Sequence, residues 1–153
     1  MKRPDLPMTG ACRCGRTRIR IVAAPFMTAA CHCSGCQKMS ASAYSLTAMI
    51  APDAMEVIEG DTVIGGLKTP GQEHHFCPHC FSWMFTRITM GGNSFLNLRP
   101  TMLDDASWFE PFIETMTAER LPWATTPARH SYQGFPDMSD FPALMAGFAA
   151  AQV

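Results

Sequence analysis

Apolar and polar residues alternate over short stretches of this chain, and glycine or proline interrupts them repeatedly. From Arg16 to Val22 the alternation is regular. Arg16, Arg18 and Arg20 fall on one face and Thr17, Ile19 and Ile21 on the other, the pattern of a half-buried strand. Phe26 to Cys31 reads as a second strand that runs into a group of cysteines. Ser34 to Ser40 reads as one short helical turn with Ser34 as N-cap, which sets Cys36 near the positive end and favours its thiolate. Tyr44 to Ile50 and Met55 to Glu59 are further strands, ended by Ala51-Pro52-Asp53 and by Gly60-Asp61. Gly65-Gly66 and Pro70-Gly71 read as turns. Glu73 to Phe76 enters a C-x-x-C segment and Ser82 to Thr89 leaves it. Gly91-Gly92-Asn93 is a turn before a strand from Ser94 to Arg99, and Phe112 to Thr117 is the last strand predicted. In the tail, Phe141, Leu144, Met145 and Phe148 recur at helical spacing behind Ser139 or Asp140, which predicts an amphipathic helix over 139–151.

Eleven glycines and 12 prolines, scattered without a low-complexity linker, fit short strands better than long helices. The expectation is a mainly β single domain, 1–153, built of short antiparallel strands with a few short helices. A chain of 153 residues with 47% hydrophobic residues is one domain's worth of core. Charge is balanced, 12 basic against 13 acidic residues, so no basic field is present to hold nucleic acid. No stretch approaches the roughly 20 apolar residues of a membrane-spanning helix. The first residues, MKRPDLPMTGACRCG, carry two basic side chains but no apolar run behind them, which does not read as a secretory leader and points to the cytoplasm and reduced thiols.

Cysteine changes this picture. There are seven, an odd number, and all are clustered: Cys12 with Cys14, then Cys31, Cys33 and Cys36, then Cys77 with Cys80. Clustered cysteines in a reducing compartment read as metal ligands or catalytic thiols rather than as a disulfide framework. Side chains two apart on a strand share a face about 6.6 Å apart, and a local bend brings both sulfurs to one ion at about 2.3 Å. A C-x-x-C wraps two sulfurs around a tight turn, the knuckle of a structural zinc site. Zinc suits soft thiolates, and two ions per chain are expected. The most economical division is four plus three. Cys12, Cys14, Cys77 and Cys80 would close a tetrahedral structural site. Cys31, Cys33 and Cys36 would hold a second ion with an open fourth position, the catalytic arrangement. Spacing alone leaves open which pair joins which.

These residues carry a resemblance. Gly10-Ala11-Cys12-Arg13-Cys14-Gly15, CHCSGCQK from Cys31 to Lys38, and Phe76-Cys77-Pro78-His79-Cys80 resemble the glutathione-dependent formaldehyde-activating enzyme family, whose superfamily includes the centromere protein V proteins. Weaker matches follow at Leu103-Asp104-Asp105 and Pro122-Trp123, so the resemblance runs from about Thr9 to Phe135, within 9–135. It implies a β-rich fold around a zinc-ribbon-like centre and the same division of the cysteines, four structural and three catalytic. The implied activity is the joining of formaldehyde to glutathione as S-hydroxymethylglutathione, a carbon–sulfur lyase reaction in reverse. Two positions depart from the family pattern. Phe81 stands where a glycine usually follows the second knuckle cysteine, and Glu114 aligns where many members have histidine. Both bear on the substrate more than on the metals.

The chemistry is consistent with a thiol substrate. Three thiolates on a divalent zinc leave one net negative charge, which makes a weak Lewis acid and disfavours hydrolysis. An incoming thiol would still be deprotonated by coordination and its sulfur would stay electron-rich. Three functions compete: a zinc enzyme acting on glutathione or a small thiol adduct, a non-catalytic zinc-stabilised binding module, and a thiol or metal sensor. No pattern in the chain addresses oligomeric state.

Other residues have two readings each. His32 and His79, inside cysteine motifs, are either ligands or proton carriers, or loop residues whose backbone serves the knuckle. Gln37 and Lys38 either hydrogen-bond a ligand at the second zinc or lie on the helix surface. Arg16, Arg18 and Arg20 either attract substrate carboxylates or form a solvated strand face. His74 and His75 point to opposite faces, so at most one reaches a site. Trp83, Trp108 and Trp123 read as core or edge cover, and Asp104-Asp105 as a turn.

Overall fold

The computed structural model describes every residue from Met1 to Val153. Two sheets carry the chain. The smaller is antiparallel, with β1 (Met8–Ala11), β2 (Arg18–Ile21) and β5 (Met55–Glu59) in the order β1-β2-β5. The larger has eight strands: β3 (Met27–Cys31), β4 (Ser45–Ile50), β6 (Val63–Thr69), β7 (Gln72–Phe76), β8 (Trp83–Met90), β9 (Asn93–Leu98), β10 (Ile113–Thr115) and β11 (His130–Ser131). Their order is β11-β10-β3-β4-β9-β8-β7-β6. Two helices complete the fold, α1 (Ser34–Ser40) and α2 (Phe141–Ala151).

The alternation in β2 sets its burial. Thr17, Ile19 and Ile21 are buried, whereas Arg18 and Arg20 reach across the sheet to Glu59 and Glu56 on β5. The main core lies between the sheets. Ile19 and Ile21 meet Ala48, Ile50, Met84, Leu96 and Leu98 there, and Cys12 and Cys77 belong to the same cluster. Each fully buried Ile or Leu contributes about 1.5–3 kcal/mol. A second cluster packs Leu144 and Phe148 of α2 on Met27, Ala29, Phe112 and Ile113. That burial gives the tail helix its place, and α2 begins at Phe141 behind a short 3₁₀ turn at Met138–Asp140.

Three features differ from the sequence expectation. Pairing is antiparallel except at β10, which runs parallel to both β3 and β11 because residues 99–112 carry the chain back before it re-enters the sheet. Gly65-Gly66 lies inside β6, not at a hairpin end; Gly66 has φ +65° and the register against β7 slips there, so the pair makes a bulge. β1 was not evident from alternation. Gly10 on it faces residues 102–103, and a Cβ there would lie 2.2 Å from the Met102 carbonyl oxygen. Only glycine permits that approach, which the Asp104 N–H to Thr9 carbonyl hydrogen bond of 2.9 Å closes.

Candidate metal centres

The first cluster joins two distant parts of the chain. Cys12 and Cys14 follow β1, and Cys77 and Cys80 follow β7. Their sulfurs all lie within 4.8 Å of one another, with Cys12–Cys14 at 3.5 Å and Cys14–Cys77 at 3.8 Å. Four sulfurs placed tetrahedrally at about 2.3 Å from an ion stand roughly 3.8 Å apart. The observed spacing therefore fits a single ion. Backbone N–H groups point at the sulfurs: Thr17 donates to Cys12 at 3.3 Å and His79 to Cys77 at 3.4 Å. Arg13 N–H donates to the Ser82 hydroxyl at 3.2 Å and ties one knuckle to the other. Among the thiols, Cys14 is pushed up to about 11; the Arg16 backbone opposes the rise, while desolvation and the neighbouring Cys12, Cys80 and Cys77 drive it. Cys80 is drawn down to about 5; burial opposes this, but the Ser82 hydroxyl and N–H outweigh it. Phe81 adopts φ +56° and donates its N–H to the Cys77 carbonyl at 3.0 Å. The knuckle keeps a left-handed residue without the glycine that usually fills it.

The second cluster is local. Cys31 ends β3, Cys33 caps α1 and Cys36 lies within it, and the three sulfurs fall within 4.8 Å of one another. Cys33, not Ser34, is the N-cap: its sulfur accepts from the Cys36 N–H at 3.3 Å. Ser34 is instead the first helical residue, and its N–H donates to the Glu119 carboxylate at 2.6 Å. Nor is Cys36 the most acidic thiol. A hydrogen bond from Cys36 holds Cys31 down to about 5, helped by the Cys33 N–H and the Thr115 hydroxyl, and the same bond with burial pushes Cys36 up. All three side chains are half-buried. No histidine or carboxylate joins the group.

His32 lies between two of these cysteines but turns inward. It is 0% exposed, its Nε2 is 2.9 Å from Glu114 Oε2, and its ring meets the edge of Tyr44. Neither a ligand position nor a surface facing substrate is available to it. Glu114 also accepts from the Thr126 hydroxyl at 2.8 Å and faces Arg120 at 3.5 Å. Burial raises its carboxyl, but the Thr126 and Ser131 hydroxyls and His32 hold it below its usual value. Gln37 braces rather than faces a ligand: its Nε2 donates to the carbonyls of His32 at 2.7 Å and Glu119 at 3.0 Å. The His32 N–H donates to Thr115 at 3.0 Å. Residues 114–119 therefore hold the cysteine loop by four hydrogen bonds. Lys38 is exposed beside an open groove of about 610 Å³, lined also by Ser34, Gln37, Leu121 and Trp123.

The remaining candidates have other partners. Arg16 donates to His79 Nδ1 at 3.3 Å, at the knuckle of the four-cysteine cluster. His75 bonds Thr62 at 2.9 Å and stacks on Phe85, while His74 turns to Thr86 and the edge of Trp83. Asp104 accepts from Thr9 and Asp105 from the Ser107 N–H, both as turn residues. Trp108 is core, donating to the Asp105 carbonyl at 3.1 Å.

One residue had no sequence signal. Arg99, at the end of β9, is 7% exposed, with its guanidinium 3.9 Å from the Trp83 ring centre. Burial pulls it down to about 10, while charge on Cys36 and Cys31 favours its cation. An arginine beside Pro100 looks like any surface residue until its tertiary surroundings are known.

Known proteins place this arrangement. No curated protein matches the chain. A crystal structure of a Rhodobacter sphaeroides protein is similar in fold, with 20% identity and a TM-score of 0.52 over 63% of this chain and 88% of the other. The family model for the glutathione-dependent formaldehyde-activating enzyme matches residues 7–119, which include all seven cysteines. Two cysteine clusters, of four and three, that can each hold a metal ion accompany that match. The chain belongs to the glutathione-dependent formaldehyde-activating enzyme family.

Proposed function

We propose that this protein is a zinc-dependent carbon–sulfur lyase acting on glutathione or another small thiol adduct, in the manner of an S-hydroxymethylglutathione synthase. Cys12, Cys14, Cys77 and Cys80 hold a structural zinc. Cys31, Cys33 and Cys36 hold a second, exchangeable one. The observation that carries the reading is the trio itself: three sulfurs within 4.8 Å and no fourth side chain among them. A zinc bound there would supply a position at which a substrate thiol loses its proton and keeps a nucleophilic sulfur.

The chain's own residues hold that geometry. Gln37 and Glu119 fix the loop from Cys31 to Cys36, and His32 anchors it through Glu114. The groove beside Lys38 and Trp123 is the proposed seat for the body of the thiol, with Lys38 offering charge to a carboxylate. In the reaction the sulfur–carbon bond forms as the carbonyl pair moves to oxygen, which takes up one proton for the one the thiol gave. Bringing thiol and aldehyde together supplies most of the acceleration. Single-domain organisation over 1–153 and a cytoplasmic setting with reduced thiols belong to the same proposal.

Metal analysis of reduced protein and exchange spectroscopy of formaldehyde with glutathione by NMR test it. Two zincs, one labile, with faster exchange than the uncatalysed mixture, are expected. Two tightly held zincs and no acceleration would indicate a binding module. One zinc with three free or oxidised thiols would indicate a sensor.

A further inference from the structure

Arg99 is a buried cation without a carboxylate. No acidic side chain lies within ion-pair distance of it. Its Nη1 donates to the Leu46 carbonyl at 3.0 Å and to the Thr47 hydroxyl at 2.8 Å, and its Nε has no partner. Thr86, 3.5 Å from Nη2, and the Trp83 face are equally neutral. Thr86 also accepts from Trp83, which leaves its own proton for His74 Nδ1. Buried charges are ordinarily compensated, and hydroxyls with a ring face do not compensate a full charge.

The cysteine trio lies across the sheet from the partners of Arg99. Strand β4 pairs with β3 so that Ser45 stands opposite Cys31 and Leu46 opposite Ala30. The carbonyl that Arg99 grips therefore belongs to the residue next to the partner of Cys31. Burial pulls the guanidinium down, and only Cys36 and Cys31 favour its charge. We infer that Arg99 is the counter-charge of the Cys31, Cys33 and Cys36 centre and sets its preference for an anionic sulfur guest over a neutral one. This rests on the reading of the trio as an exchangeable metal site. Three thiolates and a divalent ion leave one negative charge, and a bound thiolate makes two. A fixed positive charge behind the strand stabilises the second state more than the first. A neutral guest adds no charge and gains nothing from Arg99. The guanidinium acts through the centre and does not touch the guest, so it is a positioning residue for charge.

Two measurements test the inference. The first is a melting cycle: Arg99→Met alone, and in a chain with Cys31, Cys33 and Cys36 all changed to serine. Arg99→Met should lower the melting temperature clearly in the native chain, and much less, or not at all, when the thiolates are gone. Equal losses in both backgrounds overturn the pairing. The second introduces cobalt(II) at the exchangeable centre and titrates 2-mercaptoethanol and imidazole by visible absorption. Arg99→Gln should weaken the thiol roughly tenfold and leave imidazole unchanged, with Arg99→Lys retaining most of the thiol affinity. An equal change for both guests, or none, overturns the preference. If the native trio takes no metal, the reading of the site fails and the guest preference with it, while the melting cycle still decides the pairing.

Discussion

The two sulfur clusters are built from the same ligand and differ in what surrounds them. Cys12, Cys14, Cys77 and Cys80 come from opposite ends of a loop of more than 60 residues, and two of the four are sealed in the main core. Cys31, Cys33 and Cys36 span six residues, stay half-buried and are held by hydrogen bonds from one neighbouring segment. Closing a long loop turns ligand binding into folding energy. Closing a short one orders little beyond itself. The contrast teaches that the same ligand can tie distant strands together in one cluster and order only its own loop in the other.

Breaking the first cluster should have the largest effect. Cys77→Ser, or prolonged chelation, is expected to remove several kcal/mol, of the order of a structural zinc's contribution, and to prevent cooperative folding at 37 °C. Cys33→Ser should remove one metal and all turnover while leaving the melting transition within a few degrees. Thermal scans paired with metal analysis separate the two, and similar losses in both variants would erase the distinction.

The hold on the trio sharpens the comparison further. Glu119→Ala removes the carboxylate that accepts from the Ser34 N–H, and Gln37→Ala removes two hydrogen bonds, those to the carbonyls of His32 and Glu119. Supporting groups of this kind set metal affinity by about 10–100-fold. Competition with a chromophoric chelator should show that loss at the exchangeable ion and none at the retained one. Glu114→Gln gives a smaller effect, about 1–3 kcal/mol for a buried group left with imperfect partners. Its carboxyl sits below the usual 4.5, so the stabilisation is full above that pH and is lost as pH falls through the lower folded value. The acid limb of a stability-versus-pH curve should therefore flatten in the variant. The smallest effect is at the knuckle: Phe81→Gly relieves the residue at φ +56° and should stabilise by about 1 kcal/mol, read as a small rise in melting temperature.

Much of this was legible in the sequence. Alternation located β2, and helical spacing located α2, because their buried faces recur at the expected period. Turn residues bounded β3 to β5 and β7 to β9, whereas α1 buries no residue and was legible only from its ends. The cysteine clusters were visible because chemistry rather than packing dictates their spacing. What stayed hidden was tertiary. β1 and β11 are short, and β11 has no buried face to leave a pattern. The parallel entry of β10 depends on where residues 99–112 return. Glu114 was read only through an alignment, yet its role is to bury a charge against His32 and Thr126. Arg99 could not be picked out because its meaning lies in the absence of an acid around it.

Native mass spectrometry of the reduced protein, before and after adding glutathione, addresses the central claim most directly. The account predicts a dominant species with two zinc ions that gains one glutathione, and a Cys33→Ser chain with one zinc and no adduct. A two-zinc species that never takes up glutathione, or a single zinc in the native chain, would contradict it.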